Sequence, residues 1–113
     1  MNSIVNRVQL IGRLGTDPEI KELDNDRKLA KLNLATNESY KNKKGEKITD
    51  TNWHNVVAWG KTAGILEKYT QKGSEIAIEG RLITRDYENK DGEKRYVTEV
   101  VANEVLLMSK PEK

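Results

Sequence analysis

The chain carries two tryptophans, four tyrosines and no phenylalanine, so each of its large rings combines a π-face with a polar N–H or O–H. Trp53, Asn55, Val57 and Trp59 recur at period two, which places both indoles on one face of an extended segment. Tyr40 stands at the entrance to a lysine run, Lys41, Lys43, Lys44 and Lys47, and Tyr87 stands beside the turn signal Asn89-Lys90-Asp91-Gly92. A flat ring stacks on any nucleobase and each such stack contributes about 1–3 kcal/mol. Lysines beside those rings would neutralise phosphates and release counterions. An isolated strand tryptophan is more often a core residue, and a lysine run is more often a solvated loop. Rings in strongly polar surroundings next to a basic arm shift the reading toward a surface for unpaired nucleic acid.

Further cations extend the track. Arg7, Arg13, Arg81 and Arg85 are the main ones, while Lys90, Lys94 and Arg95 are diluted by Asp86, Glu88, Asp91 and Glu93. Net charge is only +2, but it is sorted along the chain: Lys41 to Thr49 holds four lysines against Glu46, whereas Asp17 to Lys28 holds five acids against three bases. His54 is the single histidine, on the parity opposite Trp53 and Trp59. It has neither a nucleophile nor an orienting carboxylate in its pattern, and no further metal ligands accompany it. A structural or oligomer-interface role is therefore expected for His54, with no catalytic residue, no metal and no cofactor.

These residues need a scaffold, and the patterning supplies one. Val8, Leu10 and Leu14 alternate with Arg7, Gln9 and Arg13 in a strand read as Val5 to Leu14. Gly15, Asp17 and Pro18 end it, and the charged stretch through Asp24-Asn25-Asp26 reads as a turn into a second strand holding Ala30, Leu32 and Leu34. After the lysine loop, a third strand runs from Thr51 to Trp59. Lys61 to Lys72 changes to helical spacing, with Thr62 as a cap, Ile65, Leu66 and Tyr69 recurring, and Gly73 as the stop. A fourth strand carries Ile76, Ile78, Gly80 and Leu82 on one side. Asp91-Gly92 turns the chain into a last strand from Arg95 to Leu107, with Val97, Val101, Val105 and Leu107 on one parity. Three strands, one short helix, then a two-stranded hairpin is the order of an all-β, five-stranded Greek-key OB-fold barrel. It occupies residues 1–108, and Ser109 to Lys113 forms a short unstructured tail.

At 113 residues the chain fits one domain. With 35% hydrophobic and 34% charged residues, the core is thin, which suits a wet-faced barrel or a subunit that completes its burial by association. Absence of cysteine fits a reducing compartment. No apolar stretch approaches the roughly 18 residues of a membrane span, and no secretory segment opens the chain. The protein reads as soluble and intracellular, with no membrane partner.

Several segments, in order and covering nearly the whole chain, resemble the bacterial single-stranded-DNA-binding proteins: Asn6 to Glu19, Leu34 to Tyr40, Thr51 to Lys61, Tyr69 to Ser74, Ile78 to Leu82 and Tyr96 to Val101. The resemblance implies an OB-fold, usually a cytoplasmic, nucleoid-associated homotetramer, that coats single-stranded DNA in replication, recombination and repair. The family's stacking positions fall on Tyr40, Trp53, Trp59 and Tyr87, with tyrosine in place of the commoner tryptophan at the first and last. Family members usually continue through a flexible linker to an acidic tip ending in proline and phenylalanine. This sequence ends at Lys113 without one, which fits either a truncated chain or a short relative, so recruitment of tail-dependent partner enzymes is not expected of these 113 residues. The alternative is an OB-type protein-interaction module, similar to small primosomal proteins, with weak DNA affinity and dispensable rings. Cold-shock-type RNA binding is disfavoured by the missing phenylalanines.

Overall fold

The computed structural model describes residues 3–24 and 27–108. Six strands and one helix follow a short 3-10 turn at Ser3–Asn6: β1 (Val8–Leu14), β2 (Glu19–Leu23), β3 (Arg27–Lys41), β4 (Lys47–Trp59), α1 (Gly60–Tyr69), β5 (Glu75–Glu88) and β6 (Lys94–Leu107). The sheet order is β1-β5-β6-β4-β3-β2. Arg13 and Leu14 of β1 also pair with Ala35 and Leu34 of β3, which closes β1, β3, β4, β6 and β5 into a five-stranded barrel. All neighbours in it are antiparallel except β4 and β6, whose parallel contact sets Val56 and Val57 against Val100 and Val101. This is the expected OB-fold, with its helix between the third and fourth barrel strands.

Alternation builds the core. Leu14, Ala30, Leu32, Leu34, Val56, Ala58, Ile76, Ile78, Val100 and Ala102 point inward, and Ala63 and Leu66 of α1 plug one end of the barrel. The last two are completely buried, so Leu66→Ala is expected to cost about 2–5 kcal/mol. The core consists of aliphatic side chains only, and every ring of the six lies outside it.

Several sequence expectations shift. The first strand begins at Val8 and not Val5, because the residues before it form the 3-10 turn and Asn6 ties down Leu82 by two side-chain bonds of 2.9 Å. Glu19–Leu23, read as part of a turn, forms a sixth short strand zipped to β3. Asn25 and Asp26 of the expected turn lie outside the described residues, as does the tail Ser109 to Lys113. The third barrel strand starts at Lys47, because cross-strand pairing with β3 continues out to Lys41↔Lys47. The helix spans Gly60–Tyr69, and Thr62 is not its cap: the N-cap is Trp59, with no side-chain bond, while Thr62 reaches the Asn103 carbonyl. It stops before Gly73, where Thr70 turns its own N–H and hydroxyl onto the Leu66 carbonyl. Leu82 is exposed. In β6 the inward parity is Val100 and Ala102, and an irregularity opposite Glu79 and Gly80 then hands the inner face to Val105. A bulge of one residue reverses parity along a strand, which strict alternation cannot foresee.

Candidate nucleic-acid interface

Residues paired across a ladder share a face, so the register fixes which side chains meet on the outside of the barrel. On β4, Trp53, Asn55, Val57 and Trp59 face outward while Val56 and Ala58 face the core. Ala35 of β3 lies beside Trp53, and Arg13 of β1 lies beside Ala35, giving one row from cation to indole. Farther along, Lys31, Val57, Val101 and Arg81 form a second row across four strands. Leu29 lies beside Trp59. The valines at the centre are nearly covered, whereas Trp53 and Trp59 are 63% and 44% exposed. The core reading of these two tryptophans is thereby excluded.

Two local features hold the indoles. The six-membered ring of Trp53 lies against Gly15, where any side chain would collide with it: an added Cβ would stand 2.5 Å from Cζ3. Trp59 has the guanidinium of Arg27 over its ring at 5.8 Å, a cation–π contact. Each ring is thus seated on the protein and presents its remaining area to solvent.

Tyr40 and Tyr87 occupy the two hairpin arms that extend from the barrel, β3–β4 and β5–β6. Both are about half exposed. Tyr40 pairs with Ile48 and Tyr87 with Arg95. By parity Tyr40 lies on the face of its arm opposite that of Trp53, whereas Tyr87 continues the outward parity of Arg81 and Arg85. The lysine run is not a long loop: Lys41 and Lys47 are the last cross-strand pair, and Lys43 and Lys44 sit on a tight turn in which Asn42 Oδ1 accepts the N–H groups of Lys44 and Glu46 at 2.9 and 3.0 Å. None of the four lysines forms an ion pair with a described residue.

The arginines are differently placed. Arg85 donates through Nε to Glu99 Oε1 at 2.8 Å and through Nη2 to Oε2 at 3.3 Å, contacts that raise its pKa further above the usual range. Arg7 donates to Glu79 at 2.6 Å, next to the Gln9 amide at 2.8 Å. The hydrogen bonds from Gln9 and then Arg7 hold the Glu79 carboxyl below its usual range. Arg13 donates to the Gly73 carbonyl at 3.0 Å and lies at the edge of ion-pair range of Glu75, 4.0 Å from its Oε1, and Arg81 has no ion-pair partner among the described residues. Arg7 therefore belongs to the β1–β5 face with Glu79, away from the tryptophan rows, while Arg13 and Arg81 flank them. His54 faces the side opposite Trp53, half-buried, with Nε2 2.9 Å from Thr36 Oγ1.

Three surface residues escaped the sequence reading of the site. Lys31 and Arg27 lie beside the tryptophan row, and their signal was only the register of β3 against β4 and the cation–π contact. Tyr96 is 68% exposed on the β5–β6 arm, with Lys94 Nζ 6.0 Å from its ring centre; it was read only as a strand residue.

An OB barrel whose rings are all expelled to a cation-flanked outer surface defines a class of oligonucleotide-binding domain. The single-strand binding protein family matches residues 5–108, and the chain belongs to that family. It is 43% identical over 105 residues to single-stranded DNA-binding protein 1 of Chlorobaculum tepidum, covering 92% of this chain and 65% of the relative. The chain thus spans about two thirds of that relative's length. Among solved structures, the Plasmodium falciparum SSB complex with single-stranded DNA superposes with a TM-score of 0.83 at 29% identity, over 92% of this chain and 95% of that one.

Proposed function

We propose that this chain binds and coats single-stranded DNA without strong sequence preference, as a non-catalytic component of replication, recombination and repair. The observation that carries the reading is the expulsion of all six large rings from the core, each 44–68% exposed. Leaving that much aromatic surface in water forgoes burial worth about 25 cal/mol per Å², and stacking on bases restores it. Trp53 and Trp59 on the barrel, with Tyr40 and Tyr87 on the arms, are the stacking residues. Lys41, Lys43, Lys44 and Lys47, with Arg13 and Arg81, contact phosphates. Arg7 and Arg85, already held by carboxylates, contribute less. The relative's name and the DNA complex of the structural neighbour support the same assignment.

The reading includes a homotetramer. Beyond Arg13 and Leu14, β1 pairs only with β5, so Val8 to Gly12 present an open edge among the described strands, which invites pairing with another copy. Next to it, Ile11, Ala77 and Leu106 line up across β1, β5 and β6, with Ile11 and Leu106 largely exposed. His54 is assigned to an interface on the same reading. No helix among the described residues is long and apolar enough to cross a membrane, and a cytoplasmic, nucleoid-associated location goes with the DNA-coating role.

The test is titration of intrinsic tryptophan fluorescence with single-stranded and duplex DNA at two salt concentrations. Quenching by the single strand, absent with duplex and weakened by salt, is expected. A protein-interaction module would leave the emission unchanged with both.

A further inference from the structure

Helix α1 buries one side only. Ala63 and Leu66 pack into the core, and the opposite side carries Lys61, Ile65, Lys68 and Tyr69, whose i, i+4, i+7, i+8 spacing sets them on a single helix face. All four are exposed, as is Lys72 just beyond the helix. Ile65 is 40% and Tyr69 51% exposed. None of the three lysines forms an ion pair with a described residue, and the one acid of the helix, Glu67, is held by Lys28. The result is a cationic face with two apolar side chains that no described element covers.

The first hairpin arm carries the complementary chemistry. Its cross-strand pairs alternate between two faces. One face holds Lys41 with Lys47, Ser39 with Thr49 and Asn37 with Thr51, runs on to Trp53, and has no acid. The other holds Glu38 directly opposite Asp50, next to Tyr40 with Ile48, and has no lysine or arginine. Like charges directly opposed destabilise a ladder, and neither carboxylate has an ion-pair partner among the described residues. Phosphates drawn to the lysine face do not relieve that repulsion. A cationic protein surface does.

We propose that the Lys61–Tyr69 face of α1 docks on the Glu38–Asp50 face of the β3–β4 arm of a second copy of this chain. Lys61 and Lys68 meet the two carboxylates, and Ile65 and Tyr69 cover Ile48. The two faces of one chain cannot meet. Lys28 touches α1 through Glu67, whereas Glu38 lies ten residues farther along β3, roughly 33 Å at about 3.3 Å per residue. Pairing with β4 that runs unbroken to Lys41↔Lys47 keeps the arm extended. Because the contact joins two different patches it is heterologous, so it can link copies beyond a closed assembly. The lysine face of the arm stays open to a nucleic acid strand.

The test is zero-length carbodiimide coupling of the full chain at low salt without DNA, which joins lysines to carboxylates in contact. A covalent dimer is expected on a denaturing gel, with a digest that links Lys61 or Lys68 to Glu38 or Asp50, and with a yield that falls as salt rises. Lys68→Glu and Glu38→Lys should each reduce the Lys61–Asp50 link about threefold or more, as attraction between exposed charges becomes repulsion. The variant with both changes should recover it, a result that misfolding of either single variant does not produce. Lys68→Gln should bind a short dT oligomer as the wild type does, by tryptophan quenching. Absence of the link, its confinement to the monomer band, or no recovery in the double variant overturns the contact. Weakened dT binding by Lys68→Gln assigns the helix face to nucleic acid and overturns it as well.

Discussion

The two hairpin arms end in almost the same six residues, Asn-Lys-Lys-Gly-Glu-Lys at 42–47 and Asn-Lys-Asp-Gly-Glu-Lys at 89–94, and they fold into the same turn. In each, the asparagine Oδ1 accepts two backbone N–H groups at 2.9–3.0 Å, and the glycine takes a left-handed conformation, φ 81° at Gly45 and 77° at Gly92. Their electrostatics differ. From Tyr40 to Lys47 there are four lysines against one acid; from Tyr87 to Lys94 there are two lysines against three acids. Three cations of the second arm are also occupied: Lys94 lies 3.2 Å from Asp86, Arg95 3.6 Å from Glu93, and Arg85 is bound to Glu99. Turn shape resides in Asn and Gly, and charge in the positions between them, so one hairpin design serves two electrostatic roles. A cation already neutralised by a neighbour has less to gain from a phosphate.

The largest effect expected is on the barrel surface to which both arms are attached. Trp53→Ala and Trp59→Ala should each weaken single-strand binding by about 1–3 kcal/mol with the fold intact by circular dichroism. Tyr87→Ala on the near-neutral arm should lie at the lower end of that range. Undiminished affinity in both tryptophan variants would falsify the stacking assignment.

Next comes the shared turn. Gly45→Val and Gly92→Val force an L side chain into the left-handed region, at about 1–2 kcal/mol each. Urea denaturation should give similar losses for the two, because no neighbouring atom within 4 Å adds a clash at either. Clearly unequal losses would show that the arms are less alike than their hydrogen bonds indicate.

Charge is the third test. Lys43→Ala with Lys44→Ala should flatten the dependence of log K on log salt by roughly 0.7 per lost contact on a single strand, for all base compositions alike. Arg85→Ala should leave that slope nearly unchanged, since its charge is already held by Glu99. Asp91→Lys, which gives the second turn the sequence of the first, should steepen it. A slope that ignores Lys43 and Lys44 but responds to Arg85 would reverse the comparison.

The smallest effect concerns acid stability away from both arms. Hydrogen bonds from Gln9 and then Arg7 lower the pKa of Glu79. The corresponding stabilisation is complete above the unfolded-state value of about 4.3 and is lost as pH falls through the lower folded value. Glu79→Gln should therefore shallow the decline in thermal midpoint on the acid side and leave the midpoint near neutral pH little changed in its pH dependence. An unaltered acid profile would mean that this exposed pair carries no net linkage.

Local pattern determined much of this protein. Alternation placed Leu10, Leu14, Leu32, Leu34, Ile76 and Ile78 on inward faces, Asp91-Gly92 marked its turn, and the helical spacing around Leu66 set the plug between the third and fourth barrel strands. Each is a short-range consequence of backbone geometry and side-chain polarity, so a single sequence suffices to read it. Tertiary structure decided the rest. Whether Trp53 and Trp59 faced core or solvent depended on which side of β4 the barrel closed around, and period two is the same for both. Pairing carried β4 out to Lys47, turning an apparent loop into an arm, and the irregularity at Gly80 reversed the inner parity of β6. The pairing of Arg85 with Glu99, fourteen residues away, separated a neutralised cation from the unpaired lysines. Register, closure and ion pairing join residues distant in the chain, and their energies exist only once the strands have met.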